Sequence, residues 1–339
     1  MKMSKLLLTL ACAMPLQFAL AATAPKPEMK IVIDEMKKDL STPVEKSTAD
    51  QARLKTSPQS LAEKMGEKKG TLEKITNVEI SDIEVSGAEG NIPARMYKPS
   101  GKGDMPVVLY FHGGGWVIGK NEDYDATLKT LANKSGAIYI SPEYRKGPEN
   151  KFPAAHDDAF AAYMWVTKNA AKFGGNPQKV AVAGESAGGN LAMNVSIRAR
   201  DTKVQMPIHQ LIVYPVAGTD MNTASYKENK NSAPLNSAMM GWFMKNYLRN
   251  KEDLKDKRIN LVEANLKGLP ATTIITAGID PLRSEGKLLS EKLEAAGVDV
   301  SYTDYPGMTH EFFSMAPVLN EAKQAQEEAA TELKDSFKK

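Results

Sequence analysis

One serine of the chain stands where nucleophilic chemistry is feasible, in Gly184-Glu185-Ser186-Ala187-Gly188-Gly189, directly after the apolar run Val180 to Ala183. A Gly-x-Ser-x-Gly that closes a buried strand and opens a helix is the setting of a nucleophile elbow. Flanking glycines relieve crowding in the tight turn, and a helix N-terminus offers backbone N–H groups to an incoming anion. With 24 glycines in the chain, the bare pattern arises by chance in roughly one such sequence in ten. The strand-to-helix setting therefore carries the weight.

A second element, His112-Gly113-Gly114-Gly115-Trp116, follows the run Val107 to Phe111. Those residues in that order arise by chance in roughly one such chain in several hundred. Three glycines let the backbone approach a substrate and aim N–H groups at a developing oxyanion, each donor being worth a few kcal/mol.

A serine hydroxyl needs a base, and the chain has four histidines. His209 opens the apolar run to Tyr214 and reads as a strand-end residue. His156, in Pro153-Ala154-Ala155-His156-Asp157-Asp158, reads as part of the first turn of a helix, where aspartates complement the dipole. It has too few neighbouring ligands for a metal site, so it is assigned a structural role. His112 belongs to the glycine motif and shapes that loop. His310 is left, in Pro306-Gly307-Met308-Thr309-His310-Glu311, after the last apolar run and after Ser186 in the chain.

The acid that orients the imidazole should stand at a strand end between these two residues. Asp280, directly after Thr272 to Gly278 and before Pro281-Leu282, fits best. Asp304 falls within the last strand region, only six residues before His310, and Glu311 is adjacent to the base and should point elsewhere.

These positions need a scaffold. Short apolar runs at Val107 to Phe111, Ala137 to Ile140, Val180 to Ala183, Leu211 to Tyr214, Thr272 to Ala277 and Val298 to Tyr302 alternate with helical stretches. Pro153 to Phe173, Ala187 to Arg200 and Ser284 to Ala296 are examples of the latter, the last with Leu289, Leu293 and Ala296 on one stripe. Such repetition predicts an α/β fold with a mostly parallel sheet covered on both faces. Val78 to Val85 and Ile92 to Tyr97 read as an antiparallel pair ahead of it. The connection 216–268 is long enough to carry structure of its own, and it holds Met239, Met240, Trp242, Phe243, Met244 and Tyr247. Residues 27–70 are Lys/Glu-rich with helical spacing and read as a solvated, partly frayed arm.

A chain of 339 residues, 42% hydrophobic and 25% charged, can bury one large core. Lys2 and Lys5 precede the apolar run Leu6 to Leu20, with Ala19-Leu20-Ala21 and Ala22-Thr23-Ala24 beyond it, the layout of a secretory signal cleaved after Ala21 or Ala24. The single cysteine, Cys12, lies inside that run behind Thr9-Leu10-Ala11, a poor lipobox, which disfavours a lipid anchor. Without it the mature chain has neither a disulfide nor a thiolate nucleophile. Subtracting Lys2 and Lys5 from 44 basic residues leaves 42 against 41 acidic ones. That balance argues against nucleic acid as a partner, and no later segment is apolar enough for a membrane span. A periplasmic or secreted monomer or homodimer acting on a small-molecule ester is expected.

Taken together, Ile92-Pro93-Ala94-Arg95-Met96-Tyr97-Lys98-Pro99, His112 to Trp116, Tyr144-Arg145 with Phe152 to Ala155, Gly184 to Gly189, Gly278 to Arg283 with Glu285-Gly286, and Tyr305 to Met308 with His310 resemble the hormone-sensitive-lipase-like α/β-hydrolases, the bacterial family IV esterases. The resemblance spans about residues 91 to 315. It implies an α/β-hydrolase fold, a triad of Ser186, Asp280 and His310, and an oxyanion hole of backbone N–H groups among Gly113, Gly114, Gly115 and Ala187. It also implies a helical cap from the N-terminal arm (25–75) and an insertion near 217–262 of the catalytic region 76–339. The expected reaction is hydrolysis of carboxylic esters with acyl groups of about two to eight carbons, through an acyl-enzyme, with no metal or cofactor. Amidase or peptidase activity on the same triad, and a non-catalytic binding protein on the same fold, are the competing readings. The chain departs from the family's more usual aspartate at Glu185 and glycine at Glu311. The second departure adds a carboxylate beside the base and bears on its pH behaviour.

Overall fold

The computed structural model describes residues 24–39, 42–101 and 103–338. The expected signal segment, with Cys12, lies almost wholly outside them.

Three helices come first: α1 (Pro27–Asp39), α2 (Ala49–Arg53) and α3 (Pro58–Lys69). The reading of this arm as solvated and frayed is corrected, because Met29, Val32, Met36 and Ala62 are buried. Local signals start and stop the helices. Thr48 and Gln51 form a reciprocal capping box on α2, Ser57 caps α3 ahead of Pro58, and Gly70 ends α3 in the left-handed conformation.

Strands β1 (Val78–Gly87) and β2 (Gly90–Pro99) form the expected antiparallel pair, with Val85 opposite Ile92. Then follow β3 (Met105–Phe111), α4 (Asp125–Ser135), β4 (Ile138–Pro142), α5 (Ala154–Asn169), β5 (Gly175–Glu185), α6 (Ala187–Asp201) and β6 (Gln210–Val213). The long connection carries α7 (Ala224–Glu228) and α8 (Ser237–Tyr247), and the chain ends with β7 (Thr272–Ile279), α9 (Arg283–Ala295), β8 (Val300–Thr309) and α10 (Asn320–Ser336).

The eight strands form one sheet in the order β1-β2-β4-β3-β5-β6-β7-β8, parallel from β4 through β8. Period-two alternation sends side chains to two different cores. Val107, Leu109 and Phe111 of β3 join the core under α5, α6 and α9, while Val108 and Tyr110 join the one under α4 and α10. Burial on both faces is why the parallel strands read as unbroken apolar runs.

Helix α4 returns the chain to one side of β3, and α5 carries it to the other. The strand order therefore reverses between β3 and β5. Crevices at the carboxyl ends of such strands are where α/β sheets bind ligands. All the positions singled out above stand at those ends: the glycine motif after β3, Ser186 after β5, Asp280 after β7 and His310 after β8.

Candidate active site

Ser186 joins β5 to α6 with φ 55 and ψ −119, a conformation that costs a non-glycine residue energy and is held by its surroundings. Its N–H donates to the Val213 carbonyl at 2.9 Å, and its own carbonyl accepts from Val216 at 3.1 Å. The turn can be this tight only because Gly188 has no side chain: a Cβ there would lie 1.9 Å from the Phe111 carbonyl oxygen.

His310 Nε2 is 3.0 Å from Ser186 Oγ, and His310 Nδ1 is 2.6 Å from Asp280 Oδ2. The other carboxylate oxygen of Asp280 accepts the Leu282 N–H at 2.9 Å, which fixes its plane. All three side chains are buried. Asp304, the rival acid, instead receives the Thr276 hydroxyl at 2.8 Å and the Arg283 guanidinium at 3.2 Å. Burial resists protonation of His310, but the Asp280 carboxylate, with help from Glu311 and Glu185, outweighs it and holds the imidazole above its ordinary value.

The glycine motif needs one correction. The Gly113 N–H donates to the Tyr124 hydroxyl at 3.0 Å, so this donor is spent within the protein. Among the described residues the N–H groups of Gly114, Gly115 and Ala187 donate to no protein acceptor. Gly114 and Gly115 line the same cavity as Ser186 and His310. At Gly115, φ is 59 and a Cβ would fall 2.2 Å from the Phe243 ring, so α8 closes onto this loop with no room for a side chain.

The other histidines sit apart from the serine. His112 stacks on Tyr144 at 4.5 Å, its Nδ1 is 2.7 Å from the Gly113 carbonyl, and burial pushes its pKa down. His156 links α5 to α8 and α6 through the Tyr247 hydroxyl at 2.8 Å and Asn190 Oδ1 at 2.9 Å, and burial pushes it down to about 4. His209 precedes β6 and lies 3.0 Å from Thr273 Oγ1.

Supporting residues to which the sequence alone assigned no role surround the three. Glu185 is fully buried and accepts the hydroxyls of Tyr110, Tyr214 (2.5 Å) and Ser314 (2.8 Å). Burial, reinforced by the charge of Glu311, pushes it up to about 7 against those three hydrogen bonds. Tyr214 also packs its ring 4.5 Å from the His310 imidazole. The signal for Tyr214 was its place at the end of β6, beside the serine turn. Glu285 on α9 accepts the Ala217 N–H at 2.9 Å, and burial pushes it up to about 8.

The cavity above Ser186 is about 230 Å³. Its apolar wall comes from the arm (Met36, Val44, Leu61) and from the 216–268 connection (Leu235, Met239, Phe243). Of the methionine and aromatic cluster on α8, then, Met239 and Phe243 face the cavity. Tyr247 stacks on Trp116 at 4.8 Å, and Trp242 Nε1 donates to the Ser47 carbonyl of the arm at 3.0 Å. Among the described residues no group of His, Cys, Asp and Glu could hold a metal ion, and no helix is long and apolar enough to cross a membrane.

This geometry can be set beside known proteins. A family model described as alpha/beta hydrolase fold matches residues 108–314. A carboxylesterase of Mycobacterium tuberculosis, NlhH, is 37% identical over 240 residues, which are 69% of this chain and 75% of the relative. An ethyl acetate hydrolase of Pseudomonas putida is 32% identical over 252 residues, 72% of this chain and 78% of that protein. Among solved structures, the hyperthermophilic esterase of Pyrobaculum calidifontis superposes with a TM-score of 0.83 at 34% identity, covering 92% of this chain and 98% of that one.

Proposed function

Because this chain belongs to the hormone-sensitive-lipase-like branch of the α/β hydrolases, we propose that Ser186, His310 and Asp280 carry out the acyl transfer by which this carboxylic ester hydrolase works. The observation that carries the reading is the continuous line from Ser186 Oγ to His310 at 3.0 Å and on to Asp280 at 2.6 Å. His310 takes the serine proton as Oγ attacks the ester carbonyl, and Asp280 keeps Nδ1 protonated and stabilises the imidazolium. The N–H groups of Gly114, Gly115 and Ala187 receive the oxyanion. His310 then protonates the departing alcohol. The same base activates a water that releases the acid and frees Ser186.

The arm and the segment 217–262 act as a cap that bounds the acyl side. A cavity of about 230 Å³ falls below the ~300–1,000 Å³ of drug-sized sites. The ethyl acetate hydrolase among its relatives supports the same small scale. Acyl groups of about two to eight carbons are the substrates, each CH₂ adding up to ~0.8 kcal/mol while room remains. The apolar run Leu6 to Leu20 and the Ala-x-Ala sites support export to the periplasm or beyond.

A fluorophosphonate probe followed by peptide mapping tests the nucleophile, and aryl esters of increasing acyl length test the cavity. Labelling anywhere but Ser186 defeats the first assignment. A rate that climbs through sixteen carbons defeats the second.

A further inference from the structure

Gln59 lies on α3, 252 residues from Glu311, and is almost fully buried. Its amide nitrogen has two partners. One is Glu311 Oε2, on the residue that follows His310. The other is the Tyr124 hydroxyl at 3.2 Å, the oxygen that also receives the Gly113 N–H. A carboxylate only accepts, so the NH₂ end of the amide must face Glu311. One side chain of the arm is thus tied to both loops on which the proposed chemistry depends.

Each end of this link is delicate. Glu311 has φ 70 and ψ −2, the left-handed region, where a residue with a Cβ is disfavoured. It keeps that conformation because its carboxylate is held by Gln59 and its carbonyl accepts the Ser314 N–H at 3.3 Å. At the other end, Gly113 begins the oxyanion loop. A Cβ built on it would touch both the Tyr124 hydroxyl, at 3.0 Å, and the Ser186 side chain, at 3.5 Å. Movement of the Tyr124 hydroxyl therefore shifts the next two N–H groups relative to Ser186 Oγ.

We propose that Gln59 is a positioning residue: it sets the His310 loop and the oxyanion loop in register with each other, and so makes the N-terminal arm part of the catalytic apparatus. This rests on the assignment of Ser186 and His310 above. The arm has separate anchors. Arg53 donates to the carbonyls of Val117 at 2.9 Å and Gly147 at 2.7 Å and pairs with Glu149, while Ser57 and Ser60 donate to Asp123. Gln59 itself lines the cavity, but with these anchors the loss of its amide leaves α3 docked and the rest of the wall in place. Misplacement of catalytic groups by about 1 Å costs up to ~10²-fold in turnover, whereas loosening of the wall would appear in KM.

The test uses the full chain and 4-nitrophenyl butyrate. Gln59→Leu, which keeps the volume and removes the donors, should lower kcat by roughly 10- to 100-fold with KM changed by less than about threefold. Gln59→Glu sets two carboxylates face to face and should be at least as damaging. Adding Glu311→Gln to Gln59→Glu restores one donor and one acceptor across the pair, and should recover most of the lost kcat. The proposal is overturned if Gln59→Leu raises KM and spares kcat, or if the exchanged pair is no better than Gln59→Glu alone. Failure of the nucleophile assignment would look different: wild-type protein would escape fluorophosphonate labelling at Ser186, and Ser186→Ala would keep its turnover.

Discussion

Glu185 offers a test whose size follows from its surroundings. It has no exposed surface, and burial with the neighbouring charge of Glu311 pushes its carboxyl from 4.5 up to about 7. The folded chain therefore binds a proton more tightly than the unfolded chain. Below the unfolded value both states are protonated and the group has no effect. As pH rises from there through the folded value, the unfolded chain ionises first and stability falls. At 1.36 kcal/mol per unit, the loss is about 3 kcal/mol, complete above pH ~7. Glu185→Gln removes this titration while keeping an acceptor for Tyr110 and Ser314. Urea unfolding at pH 5 and pH 8.5 is the assay, with free energies extrapolated to water. The variant's advantage should be below about 1 kcal/mol at pH 5 and should grow to about 3 kcal/mol at pH 8.5. Glu285 titrates in both proteins and cancels. Parallel curves, or a wild type more stable than the variant at pH 8.5, would refute the reasoning.

Asp280→Asn should cut kcat by roughly 10⁴-fold, while Asp304→Asn should cost less than about tenfold, because Asp304 serves Arg283 and Thr276; kcat/KM on one aryl ester ranks them. Since Asp280, Glu311 and Glu185 hold His310 above its ordinary value, the acid limb of the rate profile should lie above pH ~6.5. Glu311→Gln should move that limb down, as a pH–kcat/KM series would record. Gly115→Ala puts a Cβ into the Phe243 ring at a positive φ and should lower kcat by about 10²-fold or more through loss of a well-aimed oxyanion donor, with circular dichroism checking that the fold persists.

Much of the fold was legible because the strands are buried on both faces and bounded by turn residues, so that each stands out as a short apolar block. Helices were read unevenly. Helix α10 shows the reason: its buried stripe is Ala322, Ala325, Ala329 and Leu333, and alanine among glutamates and lysines gives little hydrophobic contrast. The arm misled for a related reason. Its few apolar residues, such as Met29 and Met36, sit among lysines, and only partners far along the chain explain their burial: Met29 packs by Thr309, and Met36 borders the cavity.

At the site, the positions of Ser186, Asp280 and His310 could be read because each follows a strand. Which glycine N–H is already used could not be read, since the acceptor that occupies Gly113 is a tyrosine eleven residues away. Among the partners of Glu185 and Gln59, only Tyr214, at the end of a strand, left a local trace. The others come from distant parts of the chain, and no spacing within one segment encodes them.

The distance in sequence between Gln59 and Glu311 also bears on how activity is acquired. Every group that touches the cavity is drawn from across the chain, from the arm to the segment after β8. No fragment of consecutive residues holds a working subset. Contacts of such separation form late and slowly, because loop closure must be paid before they reward it. On refolding from denaturant, helical signal should therefore return well before hydrolysis does, and the delay between them would time the docking of the first helices against the last loop.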